Sequence, residues 1–235
     1  MTLAKTSIAL CALALLTLGC RLEPGATDYA SQQPGAEVDD DDDGVEFLPG
    51  PDPYIDGERR LIFGPFYEGG FSDALPIDDV TSFFFVFSAG GNNTLEIITV
   101  NDRIEGFGSD AFIHTGQGFW GISLAFFTAN PDDGGVPRAE DLSSWDTLHI
   151  SLKSSDATYA EVNIGMASQS GEESVAATNY GYTNDGEWHS LEIPLSDLSA
   201  IDTSEIITPL IISGAGGSSG ETLLVDGFYL TSGGD

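Results

Sequence analysis

Three histidines, one serine in a glycine-rich turn and 26 carboxylates after residue 60 are the groups here with the chemistry to catalyse a reaction. Gly216-Gly217-Ser218-Ser219-Gly220 matches G-x-S-x-G. That motif holds a nucleophile when a strand precedes it, a helix follows it and a histidine comes later in the chain. The last histidine here, His189, comes before it, and a strand-like run follows. The segment therefore reads as a flexible Gly/Ser turn. His114, His149 and His189 show no H-E-x-x-H or other close ligand spacing. Paired carboxylates hydrolyse glycosides, but with this many acids some pairs fall close by chance.

Charge narrows the field further. The chain has 38 acids against 7 bases, a net charge of −31. Such a surface repels nucleic acid and anionic lipid headgroups. It suits neutral ligands, and it suits Ca²⁺, which prefers hard carboxylate oxygens. A compact E-x-D-x-x-E run, as in β-sandwich glucanases, is missing, and so is an arginine-rich strand. The folded part keeps Arg60, Arg103, Arg138 and Lys153, too few to neutralise a polyuronate.

The N-terminal segments stand apart from the elements that would position a site. Residues 1–19 have one Lys and then an apolar run from Ile8 to Leu18, the layout of a signal peptide. The run is too short for a stop-transfer helix. LLTLGC resembles the lipobox of bacterial lipoproteins, with Thr17 where Leu is usual. The resemblance implies lipidation of Cys20. The only other cysteine, Cys11, lies inside the signal, so the exported part has no internal disulfide. Residues 20–60 are rich in Pro, Gly and acid, and read as a disordered tether. Asp39, Asp41, Asp43 and Gly44 match the first half of a Ca²⁺ loop, but Gly50 stands where the twelfth-position Glu belongs. This stretch reads as a solvated linker. No second long apolar run exists, so the lipid would be the only membrane attachment.

From Leu61 onward, short apolar or alternating runs are separated by turn clusters such as AGGNN, NPDDGG, TNDGE and GAGGSSG. Eleven runs are strand-like: 61–67, 82–88, 94–100, 110–115, 119–127, 146–153, 159–166, 174–182, 188–195, 205–213 and 221–230. Leu148-Ile150-Leu152 and Val162-Ile164-Met166 carry the period of two that a strand requires. No window offers a helix of three turns. This spacing predicts one all-β domain over 61–235, a two-sheet antiparallel β-sandwich or jelly roll.

Three segments, DLSSWDTLHISLKS (141–154), DGEWHSLEIPLSDL (185–198) and ETLLVDGFYL (221–230), resemble galactose-binding-like jelly rolls in order and spacing. GQGFWGISLAFF (116–127) resembles the same family's glycine-plus-aromatic strand. That family serves as carbohydrate-binding modules and as accessory domains of secreted glycan-degrading proteins. The resemblance covers roughly 60–235 and implies the fold more strongly than the ligand. In the family the tryptophan matching Trp188 is mostly structural, and Trp145 is read the same way. The aromatic run SFFFVFS departs from the pattern and reads as a strand buried on both faces.

Sugars are held by aromatic faces, with amides and carboxylates fixing the hydroxyls. Tyr180 and Tyr182 stand two apart, so on a strand they share one face, with Asn179 and Asn184 near. Trp120 lies in a glycine-flanked strand, just after His114 and Gln117. These five side chains are the candidate ligand face, against the alternative that they are core and rim aromatics. The resemblance also implies a structural Ca²⁺ joining the first strand to the last. Asp226 matches its late Asp, Glu68 is the early partner and Asp102 a third ligand.

The sequence therefore leads to an expectation of a cell-envelope lipoprotein at the outer membrane or cell surface. Its single jelly roll would bind a neutral polysaccharide without catalysis. Two alternatives stay open: a small β-sandwich glycan hydrolase or lyase, and a protein-binding adhesion domain using Phe83 to Phe87 as an apolar patch.

Overall fold

A computed structural model describes residue 48 and residues 59–62, 82–88, 94–116, 118–129 and 133–232. Cys20, Glu68, Gln117 and nearly all of the 20–60 segment lie outside the described residues. Eleven strands run in chain order: β1 Arg59–Ile62, β2 Ser82–Ser88, β3 Leu95–Val100, β4 Ser109–His114, β5 Trp120–Phe126, β6 Thr147–Lys153, β7 Val162–Ser168, β8 Gly171–Ala176, β9 His189–Pro194, β10 Ile206–Gly214 and β11 Thr222–Ser232. The first begins at Arg59, two residues before the start read from the sequence.

The strands form two antiparallel sheets, an antiparallel jelly-roll sandwich. One has the order β3-β4-β11-β6-β9, with β1 also on β11; the other has the order β2-β5-β10-β7-β8. Strand alternation explains the core between them. Leu148, Ile150 and Leu152 of β6 point in with Leu191 and Ile193 of β9. They meet Ile122, Leu124 and Phe126 of β5 and Ile164 and Met166 of β7. Each of these is at most 1% exposed.

SFFFVFS, read as a strand, is β2, at the edge of the five-stranded sheet. The 174–182 run is not one strand. β8 stops at Ala176, Ala177–Tyr180 makes a turn of 3₁₀ helix, and Gly181 takes φ +95° to end it. Only glycine adopts that left-handed conformation without strain. The chain therefore reverses where the sequence pattern suggested extension.

Candidate functional site

That reversal separates the two tyrosines. Tyr182 is 1% exposed. Its hydroxyl donates to the Tyr159 carbonyl at 2.8 Å, and its ring meets His189 edge-on at 6.0 Å. Tyr180 is half-buried, and its hydroxyl donates to Asp197 Oδ2 at 2.7 Å. Burial comes first in pushing the Tyr180 hydroxyl up to about 12, with the Asp197 hydrogen bond and charge adding to it. Trp120 is fully buried and packs edge-on to Tyr159 at 5.1 Å. A Cβ on Gly214 would stand 2.6 Å from the Trp120 ring, so glycine is required there. His114 is 1% exposed, and its Nδ1 accepts from the Gly116 amide at 2.9 Å. Tyr182, Trp120 and His114 are thus core groups, and the ligand face expected from them and Tyr180 does not form. A stacking platform needs an open ring face, and burial has closed these.

The acidic residues are also placed differently from the expectation. Asp102 Oδ2 pairs with Lys153 Nζ at 2.7 Å, and its Oδ1 accepts from Trp188 Nε1 at 2.9 Å. Asp226 is 1% exposed, covered by the β3–β4 connection. Its Oδ2 accepts from the amides of Ile104 (2.8 Å) and Glu105 (3.3 Å), and its Oδ1 from that of Gly227 (2.8 Å). Burial raises the Asp226 carboxyl to about 6 against these bonds. The Glu105 side chain, also fully buried, hydrogen-bonds to it. Asp102 and Asp226 do not join a cluster: no three acidic, histidine or cysteine side chains gather to hold a metal among the described residues.

The arrangement best suited to a ligand is the outer face of the β2-β5-β10-β7-β8 sheet. Register places it in rows. Phe87, Gly121, Ser213, Asn163 and Ala176 form one row across the five strands. Phe85, Ser123, Ile211, Gly165 and Ser174 form the next. Phe83 pairs with Ala125 in a third, whose far end is Ala167 with Glu172. Positions 83, 85 and 87 thus put three phenylalanines on the outer-face register of one edge strand. The floor beside them is mostly Gly, Ser and Ala, with Ile211 in the second row. The middle is buried and the β7–β8 side opens: Ser174 is exposed, while Asn163, Ser213 and Glu172 are half-buried. Among the described residues, none of these four side chains has a hydrogen-bond partner. Sequence reading did not reach this face, because which strands lie side by side is not written in any one of them. The alternation of small residues in β5 and β7 was the available signal.

A cleft of about 510 Å³ lies elsewhere, lined by Trp145, Thr147, Pro194, Leu195, Ile201 and Thr203. It sits at the end of the sandwich where Thr231 accepts the Asp146 amide and Arg59 pairs with Ser232. Trp145 is only 4% exposed, in keeping with the packing role read for it.

No family model matches the chain, and the comparison with curated proteins finds no relative. Among solved structures, the chain is similar to the family 11 carbohydrate-binding module of a cellulosomal cellulase of Clostridium thermocellum. That match has 17% identity and a TM-score of 0.44, and covers 67% of this chain and 91% of the module. It is also similar to the family 30 carbohydrate-binding module of another cellulosomal cellulase of that organism. There the identity is 18% and the TM-score 0.43, covering 65% of this chain and 92% of the module.

Proposed function

We propose that this chain binds a neutral polysaccharide without cleaving it, on the outer face of the β2-β5-β10-β7-β8 sheet. What carries this reading is the row register: positions 83, 85 and 87 on one edge, a floor of Gly, Ser, Ala and Ile211, and polar groups on β10, β7 and β8 without a partner among the described residues. Successive outward positions on a strand are about 6.7 Å apart and neighbouring strands about 4.8 Å. The three rows therefore span on the order of 13 by 19 Å, buried in the middle and accessible at Asn163, Ser213 and Ser174, which supply hydrogen bonds to hydroxyls. The large negative charge favours an uncharged chain.

The same reading puts the domain on the cell envelope, held by a lipid on Cys20 through the acidic 20–60 segment. Leu48 exchanges backbone hydrogen bonds with Gly106 of the β3–β4 connection, so the tether would join the domain there, ahead of β1. Calcium belongs to this reading as a structural ion. Asp226 and Glu105 are the two buried carboxyls at hand for it, but the oxygens of Asp226 accept from the amides of Ile104, Glu105 and Gly227, which an ion would have to displace. Asp102 is no freer, since both its oxygens also have partners. Bound there, the ion would neutralise both carboxyls and tie the β3–β4 connection to β11.

The test uses the exported chain with Cys20→Ser and a panel of cellulose-derived oligosaccharides, mixed-linkage β-glucan, xylan and mannan. Affinity electrophoresis and reducing-end assay are run together. Retardation by one glycan without new reducing ends, abolished by Phe85→Ala and by Ser213→Trp, is the expected result. New reducing ends would show a hydrolase. No retardation by any glycan would leave the phenylalanine edge as a protein-docking surface.

A further inference from the structure

The opposite edge of this face carries a further group. Glu172 stands on β8 opposite Ala167, on the outer-face register. It is half-buried, and it is the one half-buried acid among the described residues that nothing binds. Glu140 pairs with Arg138, Glu173 accepts the Ala200 amide, Glu221 the Ser218 amide and Asp156 the Thr222 amide. The Glu172 side chain has no hydrogen bond or ion pair among the described residues. Burial alone pushes its carboxyl above the ordinary value, with no donor to offset it. A partly dehydrated carboxylate without a donor is unfavourable, and it marks a place where a ligand's donors restore the lost hydrogen bonds.

Resting on the glycan-binding reading above, we infer that Glu172 is the specificity-determining residue of the face. It accepts hydrogen bonds from hydroxyls of an uncharged sugar and repels a sugar carboxylate. A carboxylate has two oxygens and room for two donors, which matches neighbouring hydroxyls on one ring. The same charge facing a uronic acid would set two anions together in a partly dehydrated place. Asn163 on the neighbouring strand, also without an internal bond, carries both donors and an acceptor. The face therefore reads hydroxyls from β7 and β8.

The experiment is calorimetry on the exported chain, wild type, Glu172→Gln and Phe85→Ala. The probes are cellohexaose, xylohexaose, mannohexaose and polygalacturonate. Thermal unfolding confirms that each variant is folded. Glu172→Gln is expected to bind the preferred neutral sugar about tenfold more weakly, the size of one charge-assisted hydrogen bond. Its discrimination against polygalacturonate is expected to shrink. Wild-type binding that is lost in Phe85→Ala but unchanged in Glu172→Gln, for both sugar classes, would overturn this inference and leave the glycan face standing. Absence of binding by the wild type to every probe would remove both.

Discussion

The indole nitrogen of Trp188 donates to Asp102 Oδ1 at 2.9 Å across 86 residues of sequence. This bond fixes the β3–β4 connection over the outer face of the six-stranded sheet. Lys153 holds the other carboxylate oxygen at 2.7 Å and lies 6.0 Å from the indole ring centre. The tryptophan at the mouth of β9 is thus a structural clasp. Strand alternation puts it on the face opposite Leu191 and Ile193, and there it stays.

The clasp predicts a small, coupled loss. Trp188→Phe keeps the ring and removes the donor, and should cost about 1 kcal/mol. Asp102→Asn should cost a similar amount, and the double variant less than the sum, because the two share one interaction. Urea unfolding of the three variants measures this; full additivity would show that the bond does not form in solution. Burial raises the Asp102 carboxyl, but the hydrogen bonds from Lys153 and Trp188 and the Lys153 charge together bring it below its ordinary value. A depressed carboxyl stabilises the fold above the unfolded-state value. That part of the stability should fade as the pH falls through the folded-state value.

Asp226 predicts the opposite pH trend. Its carboxyl sits at about 6 in the fold against an ordinary 3.8, so the folded chain holds the proton more tightly than the unfolded one. The sign follows from linkage: this contribution is complete below the ordinary value and is lost as pH rises through about 6. In chelator, the melting temperature of wild type should fall between pH 4.5 and 7 by more than that of Asp226→Asn. Adding Ca²⁺ should restore it at pH 7 and have little effect at pH 4.5. Identical slopes for wild type and variant would rule out Asp226 as the source.

Tyr182 predicts a separation of stability from binding. Tyr182→Phe loses a buried hydrogen bond to the Tyr159 carbonyl, and should cost about 1 kcal/mol or somewhat more. Tyr182→Ala should cost about 3–5 kcal/mol by opening a core cavity. Glycan affinity of the folded Tyr182→Phe protein should equal that of wild type. A large affinity loss with an unchanged melting temperature would return Tyr182 to the ligand face.

Composition, turn residues and alternation were enough to foresee an all-β chain with eleven strands, because the period-two pattern and the Gly, Asn and Asp turns are local properties. They also foresaw that Trp145 would pack, since its Asp-Leu-Ser turn leads directly into β6. The site was legible only in part. Tyr180 and Tyr182 have strand spacing, yet Gly181 permits the reversal that separates them, and nothing in the spacing shows that glycine's φ. His114 and Trp120 are polar enough to suit a ligand, yet both are buried, Trp120 edge-on to Tyr159 and His114 bonded to the Gly116 amide. The edge position of β2 was not legible, because hydrophobic runs on an edge strand and on a central strand read alike. Strand order and register are long-range properties, set by which strands pair across the sandwich. They put β2 at an edge, brought Glu172 onto the same face, and joined Asp102 to Trp188. Only the tertiary structure could decide those placements.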